Sequence, residues 1–140
     1  MLQWNENFRT GHPQIDSEHQ MLIGFVNRLE ETARITNPTR PEIELILSLV
    51  DSVQAYTVVH FQHEETCMAQ HQCPAFAENK SAHAEFLQQF QHFKERFRTE
   101  GCRPGVVQDL HDLCSIWVQQ HILKIDTQLK RCLASSPEGE

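Results

Sequence analysis

Four stretches with helical periodicity, separated by short segments rich in helix breakers, constrain the fold of this chain most. The breakers lie in residues 37–41, 71–74 and 99–105, which read NPTRP, HQCP and TEGCRPG. Between them run stretches of roughly 20–30 residues with apolar residues every three or four positions and no period-two alternation. Short connections between long helices favour antiparallel neighbours. We therefore predict an all-α fold, an antiparallel up-down-up-down four-helix bundle with an N-terminal arm.

The predicted domain covers residues 1–133, and residues 134–140 are expected to form a polar tail or linker. An arm (1–16) is followed by helices predicted at about 17–36, 40–70, 75–98 and 105–133. Ser17 with Gln20 is expected to cap the first helix as a capping box, and Thr39 with Glu42 marks the start of the second. The predicted inward stripes are Leu22, Val26, Leu29 and Ala33; Ile46, Val50, Val53 and Thr57; Phe86, Phe90, Phe93 and Phe97; and Leu110, Cys114, Trp117 and Leu129.

The overall composition is that of an ordinary soluble domain. Hydrophobic residues make up 39% of the 140 residues and charged residues 22%. A net charge of −7 argues against nucleic-acid binding, which needs clustered Lys and Arg. No apolar run approaches the ~18 residues of a membrane span, and the N-terminus lacks the apolar core of a signal peptide. These features predict a cytoplasmic protein that contacts neither nucleic acid nor membrane. Its five cysteines, odd in number and without a CxxC pair, are then expected to be free thiols.

Polar residues extend all four apolar stripes into the predicted interior. A step of three or four residues from the stripes leads to His19 on the first helix, His60 and Glu64 on the second, His83 and Asn79 on the third, and His121 on the fourth. In an up-down-up-down bundle these positions share one end. A charge or an unpaired imidazole is costly there, and a metal ion would satisfy all of these groups. Imidazole and carboxylate ligands suit iron, manganese or zinc.

Two simpler explanations of the pattern stay open at this stage. A single His–Glu pair at i,i+4 is more often a partly buried ion pair than a metal site. A structural zinc ion in the bundle would use the same residue types as a redox centre. The coincidence of four helices at one level favours a metal site over isolated pairs.

Several motifs resemble those of the bacterial hemerythrin family over nearly the whole chain. The segment 10–19 (TGHPQIDSEH) resembles the family's first motif, which ends in an iron-ligating histidine, and 60–65 (HFQHEE) resembles its HFxxEE motif. The segment 83–86 (HAEF) is similar to the second half of HxxxHxxF. The segment 117–122 (WVQQHI), followed by Asp126, is similar to WxxxHIxxxxD.

The resemblance implies two non-haem irons, oxo- or hydroxo-bridged when oxidised. One iron would be held by His19 and His60, and the other by His83 and His121. Glu64 and Asp126 would bridge them. Asp126 enters through the resemblance alone, because an i,i+5 step from His121 turns about 140° away on an ideal helix. The family's apolar oxygen pocket would be lined by Leu22, Phe61, Trp117 and Val118.

One position departs from the family pattern. A histidine usually precedes His83 by four residues, and here that residue is Asn79. We predict an open position on the second iron, available to water or a small anion. The alternative is that Asn79 ligates weakly through its carbonyl oxygen. The departure predicts faster oxidation and weaker oxygen carriage.

The function predicted from these residues is oxygen binding or redox sensing, with dioxygen or another small diatomic molecule as the ligand. The resemblance suggests the N-terminal input domain of a bacterial signalling protein, for example one with a C-terminal diguanylate cyclase. The domain itself is then not expected to be an enzyme. The alternatives are an oxygen store or carrier and a di-iron oxidase or peroxidase.

Overall fold

The structure, a computed structural model, describes residues 1–135. Five helices follow one another along the chain: α1 Pro13–Ala33, α2 Arg40–Gln70, α3 Phe76–Glu100, α4 Pro104–Lys124 and α5 Leu129–Ser135. Short 3-10 turns lie at Glu6–Phe8 and Asp126–Gln128. Of the predicted tail, 134–135 end α5, and 136–140 lie outside the described residues.

Helices α1 to α4 form the predicted antiparallel bundle. Lys94 of α3 meets Asp51 near the start of α2, whereas Asn79 near the start of α3 meets Glu64 near the end of α2. These contacts fix α2 and α3 as antiparallel, and α4 packs against both α1 and α3. The all-α bundle is confirmed. All residues of the four predicted stripes are buried except two aromatic ones, which are half-buried: Phe93 and Trp117.

The start of α1 differs from the prediction. The helix begins at Pro13 rather than near Ser17, and the His12 side chain caps it by accepting a hydrogen bond from the backbone N–H of Ile15. Proline suits the first turn because its missing N–H would have no helical partner there. The capping box at Ser17 is therefore wrong. The one at Thr39 is confirmed, because Thr39 and Glu42 exchange both hydrogen bonds.

The N-terminal arm is fixed to α1 by one carboxylate. Asp16 Oδ1 accepts hydrogen bonds from Thr10 N and Thr10 Oγ1, each at 2.8 Å, and Oδ2 accepts one from Gly11 N at 3.2 Å. Gly11 has a φ of +92°, which glycine adopts without a steric penalty. These bonds set the direction in which α1 enters the bundle.

The fourth predicted helix, 105–133, is interrupted in the structure. Helix α4 ends at Lys124, a 3-10 turn follows at Asp126–Gln128, and α5 then begins. Leu129 on α5 is fully buried in a second apolar cluster that closes this end of the bundle. The break lets α5 cover the bundle end instead of continuing the line of α4.

A disulfide bond between Cys73 and Cys132 corrects the expectation that all cysteines are free. It joins the α2–α3 connection to α5 across 59 residues of sequence. The two half-cystines lie in the same apolar cluster, where the turn after α2 meets α5. The sequence could not show this pairing, because only the break after α4 brings Cys132 to that turn. The remaining three cysteines are free and buried: Cys67, Cys102 and Cys114.

Helix α2 is the one described helix long and apolar enough to pass as a membrane span by length and composition. The apolar content of the helices therefore does not by itself exclude a membrane span, although it was taken above to argue against one. A core helix in a water-soluble protein passes the same test. Here the inward face of α2 carries buried His60 and Glu64 among the other helices of the bundle.

Candidate metal centre

The predicted metal ligands converge at one end of the bundle in two groups of four side chains. Within each group the candidate ligand atoms lie within 4.8 Å of one another, and all the side chains are buried. The groups share two carboxylates; the first adds imidazoles from α1 and α2, and the second adds imidazoles from α3 and α4. Position 1 consists of His19, His60, Glu64 and Asp126, and position 2 consists of Glu64, His83, His121 and Asp126.

Glu64 directs one oxygen toward each position. Its Oε2 lies 3.0 Å from His19 Nε2 and 3.3 Å from His60 Nε2, both in position 1. Its Oε1 lies 3.1 Å from His83 Nε2 in position 2. The side chain is fully buried between the four histidines. A carboxylate in this orientation can bridge two cations, as carboxylates do in other bundle cores.

The two carboxylate oxygens of Asp126 are likewise divided between the two positions. Its Oδ2 lies 3.1 Å from His19 Nε2, and its Oδ1 lies 3.1 Å from His121 Nε2. An uninterrupted helix would turn this side chain about 140° from His121. Because α4 ends at Lys124, the carboxylate instead returns to the interior and is only 1% exposed. The helix break thus supplies the second shared carboxylate.

The unpaired atoms of the site fit cation ligands. His83 Nε2 and Asp126 Oδ1 are buried without a hydrogen bond, although His83 Nε2 lies 3.1 Å from Glu64 Oε1 and Asp126 Oδ1 lies 3.1 Å from His121 Nε2. The distances are short, but the angles are not those of a hydrogen bond. Such geometry is expected where ligand atoms face a common cation rather than each other. The donor set, four imidazoles and two carboxylates, suits iron and similar first-row ions.

Two carboxylates outside the groups orient the histidines. Glu18 Oε1 accepts a hydrogen bond from His60 Nδ1 at 2.8 Å, and Glu65 Oε2 accepts one from His83 Nδ1 at 2.9 Å. With Nδ1 protonated, Nε2 keeps its lone pair for the metal position. The second oxygen of Glu18 accepts from His63 Nδ1 at 2.7 Å at the protein surface. Metal-binding histidines are commonly held in this way.

Glu18 is not predicted from the sequence, and the position of Glu65 off the inward stripe predicts only a supporting or surface role beside the ligands. Both residues adjoin a predicted ligand in sequence, which places them off the inward stripe of their helices. The signal that could have found them is the acidic neighbour itself, Glu18 before His19 and Glu65 after Glu64. In each case, however, the histidine that the carboxylate orients belongs to a different helix.

The His19 imidazole and the Glu64 carboxylate shift each other's pKa. Burial lowers the pKa of His19, but its hydrogen bonds and charge interactions with Asp126 and Glu64 outweigh this and raise the pKa to about 10. Burial raises the pKa of Glu64, but its interactions with the surrounding histidines, His19 first, outweigh this and hold it well below the usual value. A cation at position 1 would therefore displace a proton from His19 rather than from Glu64.

Asn79 occupies the space where the resemblance places a further histidine. It is fully buried and lies against position 2. Its Nδ2 donates to Glu64 Oε1 at 2.7 Å and to Met68 Sδ at 3.2 Å, and its Oδ1 accepts from His121 Nε2 at 2.6 Å. Each position thus has two imidazoles, and the Asn79 amide lies beside position 2.

A small apolar cavity lies one helical turn from the histidines. Its volume is about 10 Å³, near the lower limit for a single water molecule. Three of the four predicted pocket residues line it: Leu22, Trp117 and Val118. Phe61 does not line the cavity; its ring stacks on His83 with 3.7 Å between centroids. Besides apolar groups the lining includes Thr57 and Cys114, and burial raises the pKa of the Cys114 thiol to about 12.

Comparison with known proteins agrees with this centre. The family model of the hemerythrin HHE cation binding domain matches residues 10–133. A bacteriohemerythrin of Methylococcus capsulatus is 29% identical over 136 residues, which cover 96% of this chain and 98% of that protein. A bacteriohemerythrin of Stenotrophomonas maltophilia is 25% identical over 87% of this chain and 74% of its own length. A myohemerythrin of Sipunculus nudus is 25% identical over 91% and 89%. The chain belongs to the hemerythrin family, whose centre is a pair of non-haem irons.

Proposed function

We propose that this chain binds dioxygen, or senses redox state, through a di-iron centre at positions 1 and 2. The observation that supports the proposal best is the sharing of both carboxylates between two groups of buried ligand atoms. When bound, the iron pair would supply reversible oxygen binding or a change of oxidation state. In this proposal the pair is held by His19, His60, His83 and His121 and bridged by Glu64 and Asp126.

The protein residues around the pair would control its access to water. Phe61 covers His83, and Trp117 stacks on His121 with 4.1 Å between ring centroids. The cavity lined by Leu22 and Val118 gives a diatomic ligand of the pair an apolar surrounding next to the histidines. Exclusion of water from such a space protects bound ligand from protonation.

Asn79 favours a sensor over an oxygen carrier. A neutral amide is a weaker ligand than imidazole, so position 2 keeps room for water or a small anion. Openings on both irons instead of one would promote oxidation of the pair, which suits a protein that reports oxygen rather than stores it. An enzymatic role is less well supported, because the described cavity lining contains no carboxylate, histidine or lysine that could serve as a general base.

The test is anaerobic reconstitution with Fe(II), followed by iron analysis and optical spectra on exposure to air. We expect two irons per chain and rapid, complete oxidation to a species absorbing in the near ultraviolet. A visible band that persists in air and disappears when oxygen is removed would favour the carrier. Sustained turnover of hydrogen peroxide would favour the enzyme. A chain that retains zinc and excludes iron would refute the proposal.

A signalling role is a further part of the proposal, whereas the cytoplasmic location that the sequence predicts is not. In this view the domain passes the state of its iron pair to an attached output domain such as a diguanylate cyclase. The family resemblance supports the first idea. The disulfide counts against a strongly reducing compartment, since such bonds persist mainly in oxidising ones. Measurement of output activity in the full-length protein, with and without oxygen, would test the signalling role.

A further inference from the structure

We infer that the two metal positions fill in separate steps, with position 1 binding first and more tightly, because Asn79 is hydrogen-bonded into position 2. The inference rests on the proposed di-iron function and deepens it. It predicts a stable form of the chain with a single divalent cation, bound by His19 and His60.

The hydrogen bonds of Asn79 use atoms that position 2 needs. Its Oδ1 accepts from His121 Nε2 at 2.6 Å, the nitrogen that would face a cation. Its Nδ2 donates to Glu64 Oε1 at 2.7 Å, the carboxylate oxygen on the side of position 2. A cation entering position 2 must displace the proton through which His121 Nε2 bonds to Asn79, and must compete with the amide for Glu64.

Position 1 has no competitor outside its own ligands, because the hydrogen bond of His19 Nε2 joins it to Glu64 and both groups would bind the cation. His60 is already oriented by Glu18, and its Nε2 lies 3.3 Å from Glu64 Oε2. His19 Nε2 lies 3.0 Å from the same oxygen and 3.1 Å from Asp126 Oδ2. No amide stands between these atoms in the part of the chain that the structure describes. A cation can therefore bind here while the hydrogen bonds of Asn79 to Glu64 and His121 stay in place.

The expected difference in metal affinity between the two positions follows from the burial of Asn79. Asn79 is fully buried, so bulk water does not reach it to replace a hydrogen bond that it loses. A buried polar group left without its partner is penalised much more than an exposed one. We expect the second dissociation constant to be about tenfold higher than the first, or more, since one such bond is worth about a factor of ten.

The experiment is an anaerobic titration of the metal-free full chain with Co(II), followed by visible absorbance and calorimetry. Wild type should bind two equivalents in two resolved steps, and native mass spectrometry should show a one-metal species near one equivalent. His83→Ala should abolish the weak step and keep the tight one. His19→Ala should abolish the tight step.

Substitution of Asn79 itself tests the cause. Asn79→His adds an imidazole to position 2 and should bring the two constants within about threefold of each other, by tightening the second by about tenfold. Asn79→Asp, which has nearly the same shape, should tighten the second step too and covers the case in which the larger histidine disturbs folding. Asn27→Asp, an amide-to-acid change beside the N-terminal arm, is the matched control and should leave both steps unchanged.

The outcomes separate this inference from the proposed function. Two equivalents bound by wild type in one unresolved step would overturn the inference and leave the two-metal centre standing. A tight step lost in His83→Ala, instead of the weak one, would also overturn it. Saturation at one metal or none would refute the two-metal centre itself, and the inference with it.

Discussion

Reduction of the Cys73–Cys132 disulfide is expected to lower the free energy of unfolding by about 4 kcal/mol. The bond spans 59 residues of sequence. Closing a loop removes entropy from the unfolded chain, and the amount removed increases with the logarithm of the loop length. The apolar surface buried in the folded protein should change little on reduction, because both thiols would remain in the apolar cluster around Leu129. The chain-entropy contribution therefore dominates. With a urea dependence of roughly 2 kcal/mol per molar, the midpoint should fall by about 2 M.

The assay is urea unfolding of the metal-free chain, monitored by far-ultraviolet circular dichroism, with and without a phosphine reductant. Cys73→Ala/Cys132→Ala serves as the control, because it has no bond to reduce and its midpoint should not respond to reductant. Reduced wild type should unfold close to this variant. A difference of less than about 1 kcal/mol between oxidised and reduced wild type would refute the argument.

Three further predictions follow from particular side chains. Glu18→Gln removes the acceptor that orients His60 and should weaken metal binding by about 10–100-fold in a Co(II) titration, whereas Glu6→Gln at the exposed arm should have no effect. Val118→Ile, which adds one methyl group, should fill the small cavity, leave the iron content unchanged and slow oxidation in air; an unchanged oxidation rate would show that oxygen does not use the cavity. A thiol reagent at neutral pH should react with three thiols in the unfolded oxidised chain and with almost none in the native chain within minutes. The reason is that the free cysteines are buried and burial raises the pKa of Cys114 to about 12; five reactive thiols on unfolding would show that the disulfide is absent.

The bundle could be predicted from sequence because its signals are local and repeated. Apolar residues at helical spacing mark an inward stripe, and the histidines lie on continuations of the same stripes. His19, His60 and His83 therefore face the interior for the same reason as Leu22 or Phe86. The level at which they meet follows from antiparallel packing alone. No long-range contact had to be known in advance.

Helical periodicity could not predict the features that depend on a helix break or on contacts with another helix. Asp126 lies outside the helical phase of His121, and only the end of α4 at Lys124 brings it inward. Cys132 meets Cys73 for the same reason, since α5 turns back over the bundle end. Glu18 lies beside the inward stripe of α1, and its function depends on His60 of α2. To predict any of these three features, one would have to know a tertiary contact that helical periodicity does not show.

The buried side chains of the site balance one another electrostatically. Two carboxylates and four imidazoles buried together would destabilise the fold if they were unpaired. Protonated His19, with a pKa raised to about 10 by Asp126 and Glu64, compensates the carboxylate charge in the metal-free chain. A cation at position 1 would take the place of the His19 proton, beside carboxylate oxygens that are divided between the two positions. The groups that satisfy one another in the fold are thus those that would bind the metal.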